Sequence, residues 1–497
     1  MNVFSVAEAY HQATKYDPAT LAGHPPRIDW SRQPVPFKEY PGARRVPLGR
    51  YLPETPEDLG DRQLRGRDRL DANALGLNDL SHLLYFSGGV TEIVRFPRGP
   101  RFLRAAPSAG ALYPTEIYVA SRGRTDLADG VYNYQVRTHA LACVAEGEVW
   151  RDLEDACFHH PALKGGDLAI VLAGVYQRSA WRYADRAYRR ILLDTGHVLG
   201  NLVLYSPLID RAAVPIGGFA DAAVNALIGL DADAEAALAV VALATPPGQF
   251  QPAALPSPRA GIVAGSDEVT MAALHQASCI PATSRPPASP PEAPAARSWL
   301  RVAAGDRLEG PRLEWTNDLS KTLLERRSAR AFSGGSCTRS QLAAILAYAC
   351  SAPGNFDPTR IETFVVAHRV LGLDPGCYHF DPATSELRQI RFKDLTQEVQ
   401  VLCLDQELGR EAAAVIFHLA DLGKAVTRWG NRAYRYLHLD AGHIGERLNL
   451  GALHEGLGAS GIGSFYDDQV NDLLGLPTSH SALYITTIGC PPGPSRG

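Results

Sequence analysis

Arg186-Ala-Tyr-Arg-Arg-Ile-Leu-Leu-Asp194-Thr-Gly196-His197 returns later in the chain as Arg432-Ala-Tyr-Arg-Tyr-Leu-His-Leu-Asp440-Ala-Gly442-His443, displaced by 246 residues. The displacement holds without a gap through the rest of the unit. Gly217 meets Gly463, Phe219 meets Phe465, Asp221 meets Asp467, Asn225 meets Asn471, and Gly229-Leu230 meets Gly475-Leu476. It also holds upstream, where Gly130-Val-Tyr132-Asn-Tyr134 aligns with Gly376-Cys-Tyr378-His-Phe380. A period this long lies far outside the roughly 20–50 residues of solenoid repeats. It means two copies of one domain fused in tandem, a pseudo-dimer written into a single chain.

Composition narrows the function classes. The 497 residues are 45% apolar and 21% charged, ordinary values for a globular protein. A net charge of −4 provides no basic field for a phosphate backbone, which argues against nucleic acid as a partner. The opening MNVFSVAEAYHQATKYDP lacks the basic-then-apolar order of a signal peptide. No apolar run approaches the ~20 residues that span a bilayer. The eight cysteines are scattered, with no Cys-x-x-Cys, so neither a zinc site nor a disulfide framework is indicated. A cytoplasmic protein with no membrane partner and no metal is expected.

The chain divides into an N-terminal arm or cap over residues 1–75, a first domain over 76–248, a proline-rich linker over 249–300 and a second domain over 301–497. The arm is expected to lie over the first domain. Apolar spacing predicts a helix from Asn78, ended by Ser87-Gly88-Gly89. Strands are predicted at Glu116–Ala120, Gly130–Val136 and Ala237–Ala244. Asp167-Leu-Ala-Ile-Val-Leu-Ala-Gly-Val reads as a strand buried on both faces. A long helix follows from about Tyr183 to Pro207, then a glycine-rich turn and a shorter helix. Proline makes the linker extended and helix-resistant, apart from one helical island, Asp267 to Ala277. The second domain repeats the order, with helices near Thr322–Arg327 and from Ser340 and a strand at Ala413–His418. The predicted fold class is α+β, with mainly antiparallel sheets wrapped by helices.

Leu437, Ala441, Ile444, Leu448 and Ala452 form an apolar stripe on the second long helix. Within it, Asp440-x-Gly442-His443 admits a catalytic reading, Asp orienting His as a base. The favoured reading is structural: glycine permits close helix approach and the Asp–His pair satisfies a buried contact. Gly456-Leu-Gly458-Ala-Ser-Gly461 fits G-x-G-x-x-G, but a dinucleotide site needs a strand before it and a helix after it. Here a helix precedes, and the first copy, Asp210-Arg-Ala-Ala-Val-Pro215, keeps none of the glycines. These glycines are read as ending the helix and bringing the backbone of Ile462-Gly463-Ser464 close to a flat ligand.

Glu325-Arg326-Arg327-Ser328-Ala329-Arg330-Ala-Phe332 clusters guanidiniums and a hydroxyl at a helix end, a phosphate-clamp composition. With Gln341-Leu-Ala-Ala-Ile-Leu behind it, it resembles the Arg-Arg-Ser-x-Arg opening of the nitroreductase family of FMN enzymes. Arg104-Ala-Ala-Pro107-Ser108-Ala109-Gly110-Ala-Leu112-Tyr113-Pro114 resembles that family's Pro-Ser loop, in the form used by the SagB/ThcOx-type branch, which includes azoline dehydrogenases. Tyr10–Lys15 and Pro36–Tyr40 are similar to long, tandem members of that branch.

The resemblance implies FMN at an interface between two copies of the domain. Arg326, Arg327, Ser328 and Arg330 would hold the phosphate and ribityl chain. Gly461, Ile462 and Gly463 would lie along the isoalloxazine. Pro107, Ser108, Ala109, Gly110 and Leu112 would arrive from the other half. In place of the clamp the first half has Arg65-Gly-Arg67-Asp-Arg69, without the hydroxyl, and the second half has Ser351-Ala-Pro353-Gly-Asn355 in place of the loop. One complete site, one degraded site and one FMN per chain are expected.

The implied reaction is oxidation of a thiazoline or oxazoline to a thiazole or oxazole. The branch's Lys-Tyr pair falls on Arg182-Tyr183, and on Arg428-Trp429 in the second copy. Arginine is a poor base, so Tyr183 is the candidate base or orienting group, with simple packing of Arg182 and Tyr183 as the structural reading. Expected partners are a peptide or carrier-bound substrate and other biosynthetic enzymes. The chain is expected to be a monomeric pseudo-dimer or a homodimer. Two alternatives stand beside this: an NAD(P)H-dependent nitro, quinone or ene reductase, and a non-catalytic scaffold.

Overall fold

A computed structural model describes residues 3–23, 28–49, 76–96, 99–244, 262–264, 269–284, 306–308, 310–315, 318–350, 356 and 361–493. Most of the predicted linker, and the segments Arg65–Arg69 and Ser351–Asn355, lie outside the described residues.

The continuous apolar run after Asp167 becomes the strand Leu168–Val175, buried along almost its whole length. Its place explains its composition. It lies between Thr115–Ser121 and Glu235–Ala244, at the heart of a seven-stranded sheet. The full spatial order is Arg45–Pro47, Ala140–Glu146, Gly130–Gln135, Thr115–Ser121, Leu168–Val175, Glu235–Ala244 and Ala212–Ile216. Every pairing in it is antiparallel. The second half builds the same sheet from Asp306–Arg307, Glu386–Arg391, Gly376–Asp381, Glu362–Ala367, Ala414–Asp421, His480–Gly489 and Gly458–Ile462. Helices cover both sheets, so the α+β architecture and its duplication are as the sequence indicates.

The two long helices, Ala187–Tyr205 and Ala433–His454, pack on each other and join the halves. Both are buried nearly all round. A Cβ on Gly196 would meet Gly442 Cα at 2.9 Å, and one on Gly442 would meet Gly196 Cα at 3.0 Å. Only glycine permits that approach. The first long helix starts later than predicted. Tyr183 ends a separate helix, Tyr176–Tyr183, and the chain turns through Ala184 at φ +46° before Ala187. Gly430 takes the equivalent turn in the second half at φ +58°.

The N-terminal arm divides: its later part lies over the first domain, where Lys38 Nζ donates to Tyr118 Oη at 3.0 Å and Leu48 is buried in the core, while its opening part reaches further. Its helix Val6–Ala13 crosses the long helices, with Tyr10 against both Tyr188 and Tyr434, and the following residues reach the second half. There Tyr16 N donates to Asp467 Oδ2 at 2.9 Å. Asp467 also receives Arg186 and Arg189 of the first long helix, at 2.7 and 2.6 Å. Only Arg45–Pro47 joins the first sheet, as its edge.

The helical island within the predicted linker mirrors this arm. Its helix Met271–Ala277 leads to Ile280 N, which donates to Asp221 Oδ2 at 2.7 Å, and Asp221 receives Arg432 and Arg435 at 2.6 Å each. His11-Gln12-Ala13-Thr14 and His275-Gln276-Ala277-Ser278 are therefore a further repeat, displaced by 264 rather than 246 residues. Each arm binds the half other than the one it precedes. Both buried aspartates are held below the usual carboxylate range by their two arginines, against the opposing effect of burial.

Candidate functional site

The site lies where the first half's Pro-Ser loop meets the second half's edge strand. Gly456, at φ +73°, ends the second long helix, and Gly458–Ile462 pairs with His480–Gly489 as the last strand of its sheet. That settles the glycine motif: it is a helix stop and an edge strand, with no helix opening on it. Ala329 N donates to Ala459 O at 2.8 Å and lays the arginine segment beside this strand.

The loop from the first half is fixed by Asp194 on the first long helix. Ser108 Oγ donates to Asp194 Oδ2 at 2.6 Å, and Ala109 N donates to Asp194 Oδ1 at 3.1 Å. Tyr113 N donates back to Ser108 Oγ at 2.8 Å. The turn needs left-handed backbone at Gly110 (φ +66°), Ala111 (φ +55°) and Tyr113 (φ +47°), a costly conformation outside glycine. Leu112 is buried beneath it. Asp194 thus pairs with the loop rather than with His197, whose Nδ1 binds Leu193 O at 2.7 Å. This corrects the expected Asp–His contact in the first half. Burial raises the Asp194 carboxyl to about 7, against the pull of Ser108 and Ala109.

The predicted pair Arg182 and Tyr183 arrives over the same turn. A Cβ on Gly110 would meet Arg182 Nη1 at 2.9 Å and Tyr183 Oη at 3.0 Å. Burial raises the Tyr183 hydroxyl above the usual tyrosine range, while Arg190 and Arg182 pull it down.

Arg190, absent from the predicted set, is the centre of this wall. Its Nη1 donates to Gly463 O at 2.7 Å and its Nη2 to Ser464 Oγ at 2.8 Å. Its guanidinium stacks 3.9 Å from the Tyr183 ring centroid. Arg190 is buried, its Nε has no partner, and no carboxylate among the described residues lies within ion-pair distance of it. The repeat itself carried the signal: Arg186-Ala-Tyr-Arg-Arg190 becomes Arg432-Ala-Tyr-Arg-Tyr436.

The arginine segment divides its work. Arg326 is buried and crosses to the first half, donating from Nε to Ala105 O at 2.7 Å and from Nη2 to Arg104 O at 3.2 Å. Its Nη1 has no partner. Arg327 Nε reaches Glu92 at 2.6 Å on the first half's hairpin of Val90–Phe96 and Gly99–Arg104. Ser328 is half-buried and Arg330 exposed. The structure therefore places Arg182 and Tyr183 over the Pro107–Gly110 loop of one half, with Arg190 linking Tyr183 to Gly463 of the other. It joins the arginine segment to both.

Two buried polar residues of the second half, Tyr484 and Glu446, have no polar counterpart across the pseudo-twofold. Tyr484 Oη lies 3.4 Å from His197 Nε2, and Glu446 lies 3.9 Å from Arg326. At the equivalent positions stand Leu238 and Gly200. Burial raises the Glu446 carboxyl to about 7.

Comparison with known proteins places the fold and the duplication in a family. The nitroreductase family is matched twice, over residues 69–245 and 323–490. A crystal structure of a nitroreductase-type protein from Anabaena variabilis superposes with a TM-score of 0.86 at 43% identity, covering 98% of this chain and all of that one. The nitroreductase-type protein MJ1384 of Methanocaldococcus jannaschii is 31% identical over 150 residues, which is 30% of this chain and 72% of its own length. The trifolitoxin-processing protein TfxB of Rhizobium leguminosarum and the microcin B17-processing protein McbC of Escherichia coli are each 27% identical, over 33% and 32% of this chain. The chain spans 46% and 59% of their lengths. Among the described residues no helix is long and apolar enough to cross a membrane. The chain belongs to the nitroreductase family and carries that family's domain twice in tandem.

Proposed function

We propose that this protein is an FMN-dependent dehydrogenase that oxidises a thiazoline or oxazoline to a thiazole or oxazole in the making of a peptide natural product, ribosomal or nonribosomal. The observation that carries the reading is the composite cleft. Arg182 and Tyr183 lie over Gly110 of the same half, and Arg190, stacked on Tyr183, joins them to Gly463 of the second. Similarity to TfxB and McbC, named for processing trifolitoxin and microcin B17, supports a peptide substrate and biosynthetic partner enzymes.

The residues suit an anionic flavin. A buried guanidinium with no carboxylate in reach is costly unless an anion or acceptor meets it. Arg190 Nε is a buried donor of this kind without a hydrogen-bond partner, and Arg326 Nη1, although Glu446 lies 3.9 Å from that guanidinium, also lacks one. Arg326, Arg327, Ser328 and Arg330 would hold the phosphate and ribityl chain. Pro107–Gly110, Leu112 and Gly461–Gly463 would border the ring.

FMN, when bound, supplies hydride acceptance. The chain's own contribution is placement and proton handling. Arg182 stays cationic and can orient an acceptor group on the substrate. Tyr183 Oη, turned toward Gly110, is the hydroxyl positioned to orient the substrate or to take its α-proton. Burial holds Tyr183 protonated above the usual tyrosine range, and the arginines on either side offset part of that effect.

The test is turnover of a thiazoline-bearing peptide by the FMN-loaded protein under air. Loss of two hydrogens from the peptide, with oxygen consumed and NAD(P)H unnecessary, supports the dehydrogenase. Rapid flavin reduction by NAD(P)H with turnover of quinones or nitroarenes, and no azole formed, supports the reductase alternative.

A further inference from the structure

The pseudo-twofold axis that generates the composite cleft also generates its mate, where Gly217 stands for Gly463. The two places have diverged at matching positions. Gly110 of the first cleft corresponds to Phe356, and Arg190 corresponds to Tyr436. In the structure these replacements meet. Phe356 and Tyr436 stack with centroids 5.3 Å apart and planes at 20°. Both rings press on the glycine: a Cβ on Gly217 would meet Phe356 Cδ1 and Tyr436 Cε1 at 2.6 Å each. Trp429, the counterpart of Tyr183, packs edge-on to Tyr436 at 6.2 Å. Tyr436 Oη and Arg432 Nε both donate to Gly217 O, at 3.2 and 2.8 Å.

Each change removes something a flavin ring requires. In the first cleft, the carbonyl of Gly463 is bound by a guanidinium that keeps a buried donor free, and the loop residue equivalent to Phe356, Gly110, has no side chain. In the second, the equivalent carbonyl is bound by a phenol and by Arg432, which is already paired with Asp221. The loop residue brings a benzyl group into the space beside the glycine. Stacked aromatic rings of this kind hold each other by about 0.5–1.5 kcal/mol beyond burial. The aromatic pair supplies, from the chain itself, the flat apolar contact that a flavin ring would otherwise make.

We propose that Phe356 and Tyr436 form a self-supplied plug that closes the second cleft to flavin, so that the tandem chain is committed to one cofactor site. The proposal rests on the reading of the first cleft as a flavin site. It goes beyond the missing arginine clamp, because the plug excludes the ring as well as the phosphate. Lumiflavin, which has the isoalloxazine and no phosphate, separates the two causes.

The full chain is first loaded with FMN, excess is removed, and lumiflavin uptake is then counted by equilibrium dialysis. Wild type is expected to take up no lumiflavin, whereas Phe356→Gly combined with Tyr436→Ala is expected to take up about one ring per chain. The FMN count of the first cleft reports separately on the functional reading and on folding of the variant. Lumiflavin bound by wild type overturns the proposal, as does a folded variant that takes up none. Should the variant fail to fold, a crystal structure of wild type grown in excess lumiflavin decides. The Phe356 ring against Gly217 sustains the plug, and an isoalloxazine there refutes it.

Discussion

Gly196 and Gly442 sit against each other where the two long helices cross, and a Cβ on either would fall about 3 Å from the other's Cα. The contact joins equivalent positions of the two copies, so the pseudo-twofold axis passes beside it. A methyl group there has backbone on its far side and no flexible neighbour to displace. Gly442→Ala should therefore destabilise the chain by roughly 1–3 kcal/mol, the range of a strained core insertion. Urea denaturation checks this, and a change under about 0.5 kcal/mol would mean that the helices separate freely.

Asp467, with Arg186 and Arg189, ties the N-terminal arm to the second half. Removing the charge leaves two buried guanidiniums uncompensated, so Asp467→Asn should cost about 3–5 kcal/mol at neutral pH. The pH dependence has a definite sign. The folded-state value of Asp467 lies below the ordinary one near 3.9, so its contribution is present above that value and disappears as pH falls through the folded-state value. Wild type should lose stability in acid more steeply than Asp467→Asn, as acid titration followed by circular dichroism would show.

Glu446 titrates with the opposite sign. Its carboxyl lies near 7 in the folded chain, against about 4.3 when unfolded. The stability it supports is complete below about pH 4 and is lost as pH rises through about 7. Glu446→Gln should leave the urea-unfolding free energy nearly unchanged at pH 4 and raise it at pH 8, by on the order of 3 kcal/mol. Equal shifts at both pH values would contradict the buried-acid assignment.

Arg190 places a positive charge at the Gly463 carbonyl. If the flavin ring lies there, the charge favours its reduced, anionic form. Arg190→Met should lower the midpoint potential of bound FMN by about 30–60 mV, equivalent to roughly 1.4–3 kcal/mol for a two-electron couple. It should also weaken the flavin's sulfite adduct. Spectroelectrochemistry reads the first and sulfite titration the second. An unchanged potential would place the ring elsewhere.

Much of this was legible in the primary structure because the chain prints its own alignment. The 246-residue displacement located both copies, and the apolar run after Asp167 marked a strand that the sheet buries on both sides. The loop at Pro107 and the arginines at Arg326 were recognisable as pieces of one site. The crossing of the arms was harder to read. The second copy of His-Gln-Ala-Thr/Ser follows a different displacement, inside a stretch whose prolines read as linker. Arg190 escaped because a basic residue one turn into an amphipathic helix looks like a solvated face. Only the three-dimensional crossing puts it under Tyr183 and against the other half's backbone. Asp194 was noticed for the wrong partner: sequence proximity suggested His197, while the fold brought the Ser108 loop.

If the cleft built from the first half's loop and the second half's arginines is the flavin site, one flavin binds per chain. Flavin released from the purified, FMN-saturated protein, identified and counted against chain concentration, tests it directly. The account predicts about one FMN per chain, lost when Arg326 and Arg330 are both replaced by alanine. Two FMN per chain, or a chain that cannot be loaded at all, would contradict it.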